Sequence, residues 1–223
     1  MPALLEAFAR PVDPDTALMR FNDFLAGLPA GVQLFTLFHS NPGLLNLLAE
    51  IMGSSGLGPE AFNCSAPDTG NMEVLLRYGT REQKDRWLAP LMQGEIRSAF
   101  LMTEPAVASS DATNIECSIL RDGDDYVLNG TKAWITNGGY ADIYTVFATV
   151  DRSARHKGMC AFVIPKGTPG LTPGRKEDKM GQRASDTCVI HFDNVRVPAS
   201  QLLGAEGQGF KIAMATLDRT RPL

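Results

Sequence analysis

Apolar positions recur every three to four residues in the first part of the chain and switch to the shorter period of strands after Ser98, so the pattern predicts helices followed by a sheet. Asp15 is placed to cap a helix whose apolar face is Leu18, Phe21, Phe24, Leu25 and Leu28, stopped by Pro29. A second run, Leu44, Leu45, Leu47, Leu48, Ile51 and Met52, starts after Asn41-Pro42 and ends at Gly53. Ser54-Ser55-Gly56-Leu57-Gly58-Pro59 reads as a linker. A further helix is expected from Gly70-Asn71 to Tyr78. Thr80-Arg81-Glu82-Gln83 is a capping box, in which the Thr hydroxyl and the Gln side chain satisfy each other's orphan backbone donors. The helix it opens has the apolar stripe Trp87, Leu88, Leu91 and Met92, and Pro90 should shorten or kink it.

Tyr126-Val127-Leu128 and Ala133-Trp134-Ile135 flank Asn129-Gly130, a pair that tolerates the positive φ of a type I′ turn, so a hairpin is expected there. Ile143 to Val150, Met159 to Ile164, Val189 to Phe192 and Val195 to Val197 are further expected strands, with Pro165 to Gly174 a long turn. Consecutive strands without intervening helices argue for an antiparallel barrel or sandwich rather than a parallel dinucleotide fold. Gly209 to Leu217 returns to helix. The fold class is α+β: N-terminal helices, an antiparallel β-barrel or sandwich, and the start of a C-terminal helix.

Size and composition narrow this little. The chain has 223 residues, 44% hydrophobic and 21% charged, an ordinary balance for a globular protein with a substantial core. A net charge of −4 gives no electrostatic case for nucleic acid. No run of about 20 apolar residues is present to span a bilayer. Glu6, Arg10, Asp13 and Asp15 interrupt the start of the chain, which argues against a secretory signal and for a cytoplasmic location. Cys64, Cys117, Cys160 and Cys188 are widely spaced and read as buried thiols rather than a metal site. His39, His156 and His191 are isolated and read as surface or strand residues.

The candidate chemistry lies in two segments. One is Phe100-Leu101-Met102-Thr103-Glu104-Pro105, leading to Ser109-Ser110-Asp111; the other is Trp134-Ile135-Thr136-Asn137-Gly138-Gly139. A flavin ring is a wide apolar plate with a polar edge, so its pocket needs one large aromatic face and a few hydroxyls or N–H groups. Trp134 can supply the face, and Thr103 and Thr136 the edge.

From about Gly56 to Leu223 the chain resembles the acyl-CoA dehydrogenases, flavoenzymes that introduce a 2,3 double bond into acyl-CoA thioesters. The likeness is carried by the two segments above and by Asn71-Met72-Glu73, Tyr78-Gly79-Thr80, Gln83-Lys84, Trp87-Leu88 and Pro90-Leu91. It continues through Gly174-Arg175-Lys176, Met180-Gly181-Gln182-Arg183, Ser185-Asp186-Thr187, Gly207-Gln208-Gly209-Phe210 and Asp218-Arg219-Thr220-Arg221-Pro222. The resemblance implies FAD as cofactor, held by Phe100, Met102, Thr103, Ser109, Ser110, Trp134, Ile135 and Thr136. It implies an acyl-CoA substrate contacted by Ser110, Asp218 and Arg221, with Ser109 and Ser110 both open as the substrate serine. Electron-transfer flavoprotein is the implied redox partner, and the full-length family is oligomeric. Through Asp13-Pro14-Asp15, Phe21-Asn22-Asp23-Phe24-Leu25, Leu28-Pro29-Ala30-Gly31 and Asn41-Pro42, residues 1–54 instead resemble a helical segment of glutamine synthetase adenylyltransferase, without that enzyme's acidic metal-binding motif.

The expected organisation is a foreign helical segment (1–55), part of an N-terminal helical domain (56–95), a flavin-binding β-barrel (96–205) and the opening of a C-terminal helical domain (206–223). Oxidising an acyl thioester needs a base for the α-proton and a hydride acceptor for the β-position. In the family the base is a carboxylate of the C-terminal helical domain, so no catalytic residue is assigned, and Glu104 is expected to be structural. The chain therefore reads as an incomplete or rearranged dehydrogenase; the alternative is a non-catalytic fragment or fusion that folds or binds a partner.

Overall fold

The structure, a computed structural model, describes Pro59, residues 63–108 and residues 111–220. The two apolar runs at 18–28 and 44–52, and nearly all of the linker, lie outside the described residues. All the elements below belong to one compact unit, Ala66–Arg221. In the other unit, Met1–Ser65 with Pro222–Leu223, the Cys64 N–H donates to the Pro59 carbonyl at 2.8 Å.

Helix α1 is Asp68–Tyr78, and its first residue anchors it to the sheet. The buried Asp68 carboxylate accepts from the Ser98 N–H at 2.7 Å and the Ser98 hydroxyl at 2.6 Å, and pairs with Arg97 at 3.0 Å. An acid in a first helical turn also complements the helix dipole. The next helical run, α2, comprises Arg81–Gln83, a π-helical segment Lys84–Leu88 and Ala89–Met92. It starts at the expected capping box, Gln83 N–H to Thr80 Oγ1 at 3.2 Å and Thr80 N–H to Gln83 Oε1 at 2.9 Å. Pro90 has no N–H to donate and its ring crowds the preceding turn, which accounts for the widened π segment just before it.

Eight strands follow: β1 Ser98–Leu101, β2 Ser118–Asp122, β3 Asp125–Thr136, β4 Ile143–Thr149, β5 Met159–Pro165, β6 Leu171–Lys176, β7 Thr187–Pro198 and β8 Leu202–Leu203. Their order is β6-β7-β3-β2-β4-β5-β8, with β1 beside β4. Pairing is antiparallel except that β4 runs parallel to β1 and, through the single pair Ser118↔Thr149, to β2. Those exceptions are possible because long stretches of chain separate the strands involved, as a parallel pair requires. Side chains from β1 to β7 meet in one core, with Leu128, Ile135, Ile190 and Val195 from one side and Tyr144, Val146, Phe162 and Ile164 from the other. Helix α3, Gly209–Thr220, closes on β5 at Gly209, where an added Cβ would lie 2.7 Å from the Cys160 backbone. It meets α1 through Arg219 and Glu73, 3.4 Å apart.

Three local expectations are corrected. Asn129-Gly130 is not a hairpin turn: β3 runs through it, and the β2–β3 turn falls at Gly123-Asp124, between the paired residues Asp122 and Asp125. Asn129 instead faces a bulge in β7, accepting from the Asn194 N–H at 2.8 Å, and Gly130 has φ +140°. What the Asn-Gly signal registers is a demand for unusual backbone and close approach, since a Cβ on Gly130 would sit 2.4 Å from Cys117 Sγ. The two short runs at 189–192 and 195–197 are one bulged strand, β7. The long turn from Pro165 contains β6, whose Pro173 is tolerated because β6 lies at the edge of the sheet.

Gly130→Ala should destabilise the fold by ~3 kcal/mol, from overpacking and backbone strain together. Gly123→Ala, at φ +65° with nothing within 4 Å of the new Cβ, should cost only about 1 kcal/mol. Urea unfolding of both variants measures this; equal losses would contradict the bulge assignment.

Candidate functional site

The two segments singled out in the sequence meet at the end of β3. After Leu101 enters the core, the chain lies along β3, and the Thr103 carbonyl accepts from the Ala133 N–H at 2.9 Å. One step earlier the Met102 carbonyl accepts from Lys132 Nζ at 3.0 Å. One step later the Glu104 carboxylate meets the same Nζ at 2.7 Å and accepts from the N–H groups of Glu116 at 2.6 Å and Cys117 at 3.1 Å. Lys132 is 0% exposed and Glu104 3%, so this is a buried ion pair whose charges are matched and hydrogen-bonded. Glu104 is thereby structural, as the resemblance implies. Burial pushes the neighbouring Cys117 thiol up to about 12, leaving it a protonated packing group rather than a nucleophile.

Directly after Lys132, β3 carries a bulge. Lys132 pairs with Ile190 and Ile135 with Cys188, so Ala133 and Trp134 together oppose one residue of β7. Trp134 has φ +55°, uncommon for a bulky side chain, and its indole stands 63% exposed. The bulge also reverses the inward parity of the strand: Tyr126, Leu128 and Lys132 point in before it, Ile135 after it. Beyond Thr136 the loop is fastened in place. Asn137, at φ +63°, receives the Tyr140 hydroxyl at 2.5 Å and donates through Nδ2 to the Ser98 carbonyl at 3.0 Å. Asp186 accepts from the Gly139 N–H at 2.7 Å through its side chain and from the Asn137 N–H at 3.1 Å through its carbonyl.

Thr103 and Thr136 are half-buried, one on each side of the Trp134 bulge, and neither hydroxyl has a hydrogen-bond partner among the described residues. The Thr103 N–H has none either. An exposed aromatic residue and open donors thus belong to the same two paired segments, joined by the bond from Ala133 to Thr103. Met102 is half-buried. Phe100 is half-buried, on the opposite strand face from the core residues Ala99 and Leu101, with its ring 4.8 Å from Phe147. The Ile135 side chain is in the core, so only its backbone can border a ligand. Ser109, Ser110 and Arg221 lie outside the described residues, although Asp111, just after the serines, is held by Thr113 at 2.8 Å and Arg155 at 3.4 Å. Asp218 is exposed on α3, which packs on α1 and β5. Lys132, Asn137 and Asp186 carry much of the site's geometry without being singled out by the sequence pattern. A lysine on the inward parity of an apolar strand was the available signal, because a buried charge requires a partner.

Residues 99–195 match the family model described as "Acyl-CoA dehydrogenase, middle domain". The chain is 48% identical over 178 residues to human acyl-CoA dehydrogenase family member 11, covering 77% of this chain and 23% of that protein. Among solved structures, butyryl-CoA dehydrogenase from Megasphaera elsdenii superposes with a TM-score of 0.70 at 41% identity, over 78% of this chain and 45% of that one. A glutaryl-CoA dehydrogenase from Mycobacterium smegmatis, in complex with FADH2, superposes with a TM-score of 0.66 at 35% identity, over 79% of this chain and 44% of that one. The sheet thus resembles the middle domain of these proteins in both sequence and fold. Over these residues the chain is similar to the acyl-CoA dehydrogenase family, and it spans less than half the length of the curated relatives it matches.

Among the described residues no helix is long and apolar enough to cross a membrane. No group of His, Cys, Asp and Glu among them could hold a metal ion.

The chain has two tryptophans, and Trp87 is only 6% exposed. Acrylamide should therefore quench mainly the Trp134 emission, and Trp134→Phe should remove the readily quenched component. Its persistence in that variant would show that the bulge does not present Trp134 to solvent.

Proposed function

We propose that this chain carries one wall of the flavin and acyl-CoA site of an FAD-dependent acyl-CoA dehydrogenase, a protein that introduces a 2,3 double bond into acyl-CoA thioesters. The observation that supports this best is the exposed Trp134 indole beside the open donors of Thr103 and Thr136, inside residues 99–195 of the family's middle domain. A flavin needs a broad apolar face and donors for a polar edge, and these residues fit that demand. In this reading Trp134 covers one ring face and excludes water from it. The hydroxyls of Thr103 and Thr136 donate to the edge, Phe100 and Met102 line the approach, and Ile135 takes part through its backbone.

When bound, FAD supplies the acceptor for the hydride leaving the substrate's β-carbon. Ser109 or Ser110 contacts the acyl-CoA near the ring, while Asp218 and Arg221 hold the CoA portion. Glu104 does not act as base, because its oxygens are committed to Lys132 and to two backbone N–H groups. Removal of the α-proton is assigned to none of the described residues. An electron-transfer flavoprotein is the proposed redox partner. The proposed domain limits are 96–205 for the barrel, flanked by helical-domain segments at 56–95 and 206–223, with 1–55 foreign to the family. The second reading is a non-catalytic fragment or fusion that folds or binds a partner without turnover, since no base is assigned among the described residues.

Titrating the purified chain with FAD and then adding butyryl-CoA without oxygen separates these readings. The first predicts a bound flavin whose visible absorbance bleaches with the thioester, and Trp134→Ala should weaken FAD binding about tenfold through loss of the aromatic face. Bound flavin without bleaching supports the second reading. Failure to bind FAD contradicts the flavin assignment itself.

A further inference from the structure

We propose that the Glu104–Lys132 pair is a positioning device for the flavin, acting through the single peptide unit that joins Met102 to Thr103. This rests on the flavin reading of the site and names residues that reading leaves without a role.

Lys132 is fully buried, and among the described residues its ammonium makes two contacts: one with Glu104, the other with the Met102 carbonyl at 3.0 Å. The other end of that peptide is the Thr103 N–H, which has no partner among the described residues. A charged donor on a carbonyl draws electron density through the amide and makes the attached N–H a stronger donor, an effect enlarged where the dielectric is low. Lys132 thus strengthens an open donor on the rim beside Trp134. The acceptor groups on the polar edge of a flavin are suitable partners for it. Glu104 holds the ammonium in register, and its bonds to the Glu116 and Cys117 N–H groups fix the carboxylate in turn. The Thr103 carbonyl, bonded to the Ala133 N–H at 2.9 Å, fixes the other side of the same residue against the bulge.

Stability alone does not explain the pair. A buried ion pair gains little over well-packed apolar residues of similar volume, since desolvation offsets the attraction. A rim donor held by two peptide contacts and polarised from behind is a gain that an apolar replacement cannot reproduce.

The test compares the unmodified chain with Lys132→Met/Glu104→Gln, which removes both charges together and avoids leaving one buried alone. Melting and circular dichroism establish that the double variant folds. FAD binding is read by quenching of flavin fluorescence, and the reduction potential of the bound flavin by equilibration with redox dyes. The expected result is a folded variant that binds FAD at least tenfold more weakly, with a lowered potential, because a donor to the ring edge has lost strength. A folded variant with unchanged affinity and potential overturns the proposal while leaving the flavin reading intact.

Should the double variant fail to fold, amide hydrogen exchange of the unmodified chain decides. The Thr103 N–H should gain protection when FAD is added, and unchanged exchange in a chain that has bound FAD overturns the proposal. If the unmodified chain binds no FAD, the flavin reading fails and the proposal falls with it.

Discussion

The buried contact between Lys132 and Glu104 is the constraint around which the site end of the sheet is organised. It joins three pieces of chain that are distant in sequence: the segment leaving β1, the start of β2 reached through the Glu116 and Cys117 N–H groups, and the middle of β3. None of the three is free to shift alone, because removing one charge leaves the other buried without a partner, a loss of about 3–5 kcal/mol. With Lys132 so held, the next residues of β3 must resolve the conflict between a fixed inward lysine and the apolar core beyond it. They do so by a bulge, which turns Ile135 inward and leaves Trp134 standing out.

Part of the backbone irregularity falls at the Trp134 end of β3. Trp134 and Asn137 both have positive φ, and Asp186 and Ser98 fasten the turn that follows. The strands β4 and β5, by contrast, pair in unbroken register and are buried on both faces, and α3 closes against β5. This is the division expected of a rigid scaffold carrying a site. The regular strands provide stiffness, and a few strained residues, each costing on the order of 1–3 kcal/mol, aim the groups proposed to meet the ligand.

Much of this was legible in the sequence, for identifiable reasons. The capping box at Thr80 was readable because both of its bonds are local. The strands β4 and β5 were readable because a continuous apolar run bounded by polar residues has few other meanings. The pairing of the Thr103 and Trp134 segments rested on the chemistry of a flavin and on family resemblance, and the 2.9 Å bond between Thr103 and Ala133 gives their adjacency a physical form. What was not legible depends on register between distant strands. Asn129-Gly130 has the composition of a hairpin, and only the approach of Cys117 and the facing bulge in β7 make it part of a continuous strand. β6, with Pro173 and Gly174, has the composition of a turn, and only its edge position lets it pair. Lys132 was not singled out, because its partner Glu104 lies far away in sequence and only the register of β3 brings the two together.

We propose above that the β3 bulge makes Trp134 the face of a flavin site. The most direct measurement of this uses nitrogen-15 labelling of the indoles, since the chain has only Trp87 and Trp134 to observe. On addition of FAD, the indole resonance that disappears in Trp134→Phe should shift or broaden while the Trp87 resonance stays in place. An unmoved Trp134 signal in a chain that has bound FAD would contradict the account.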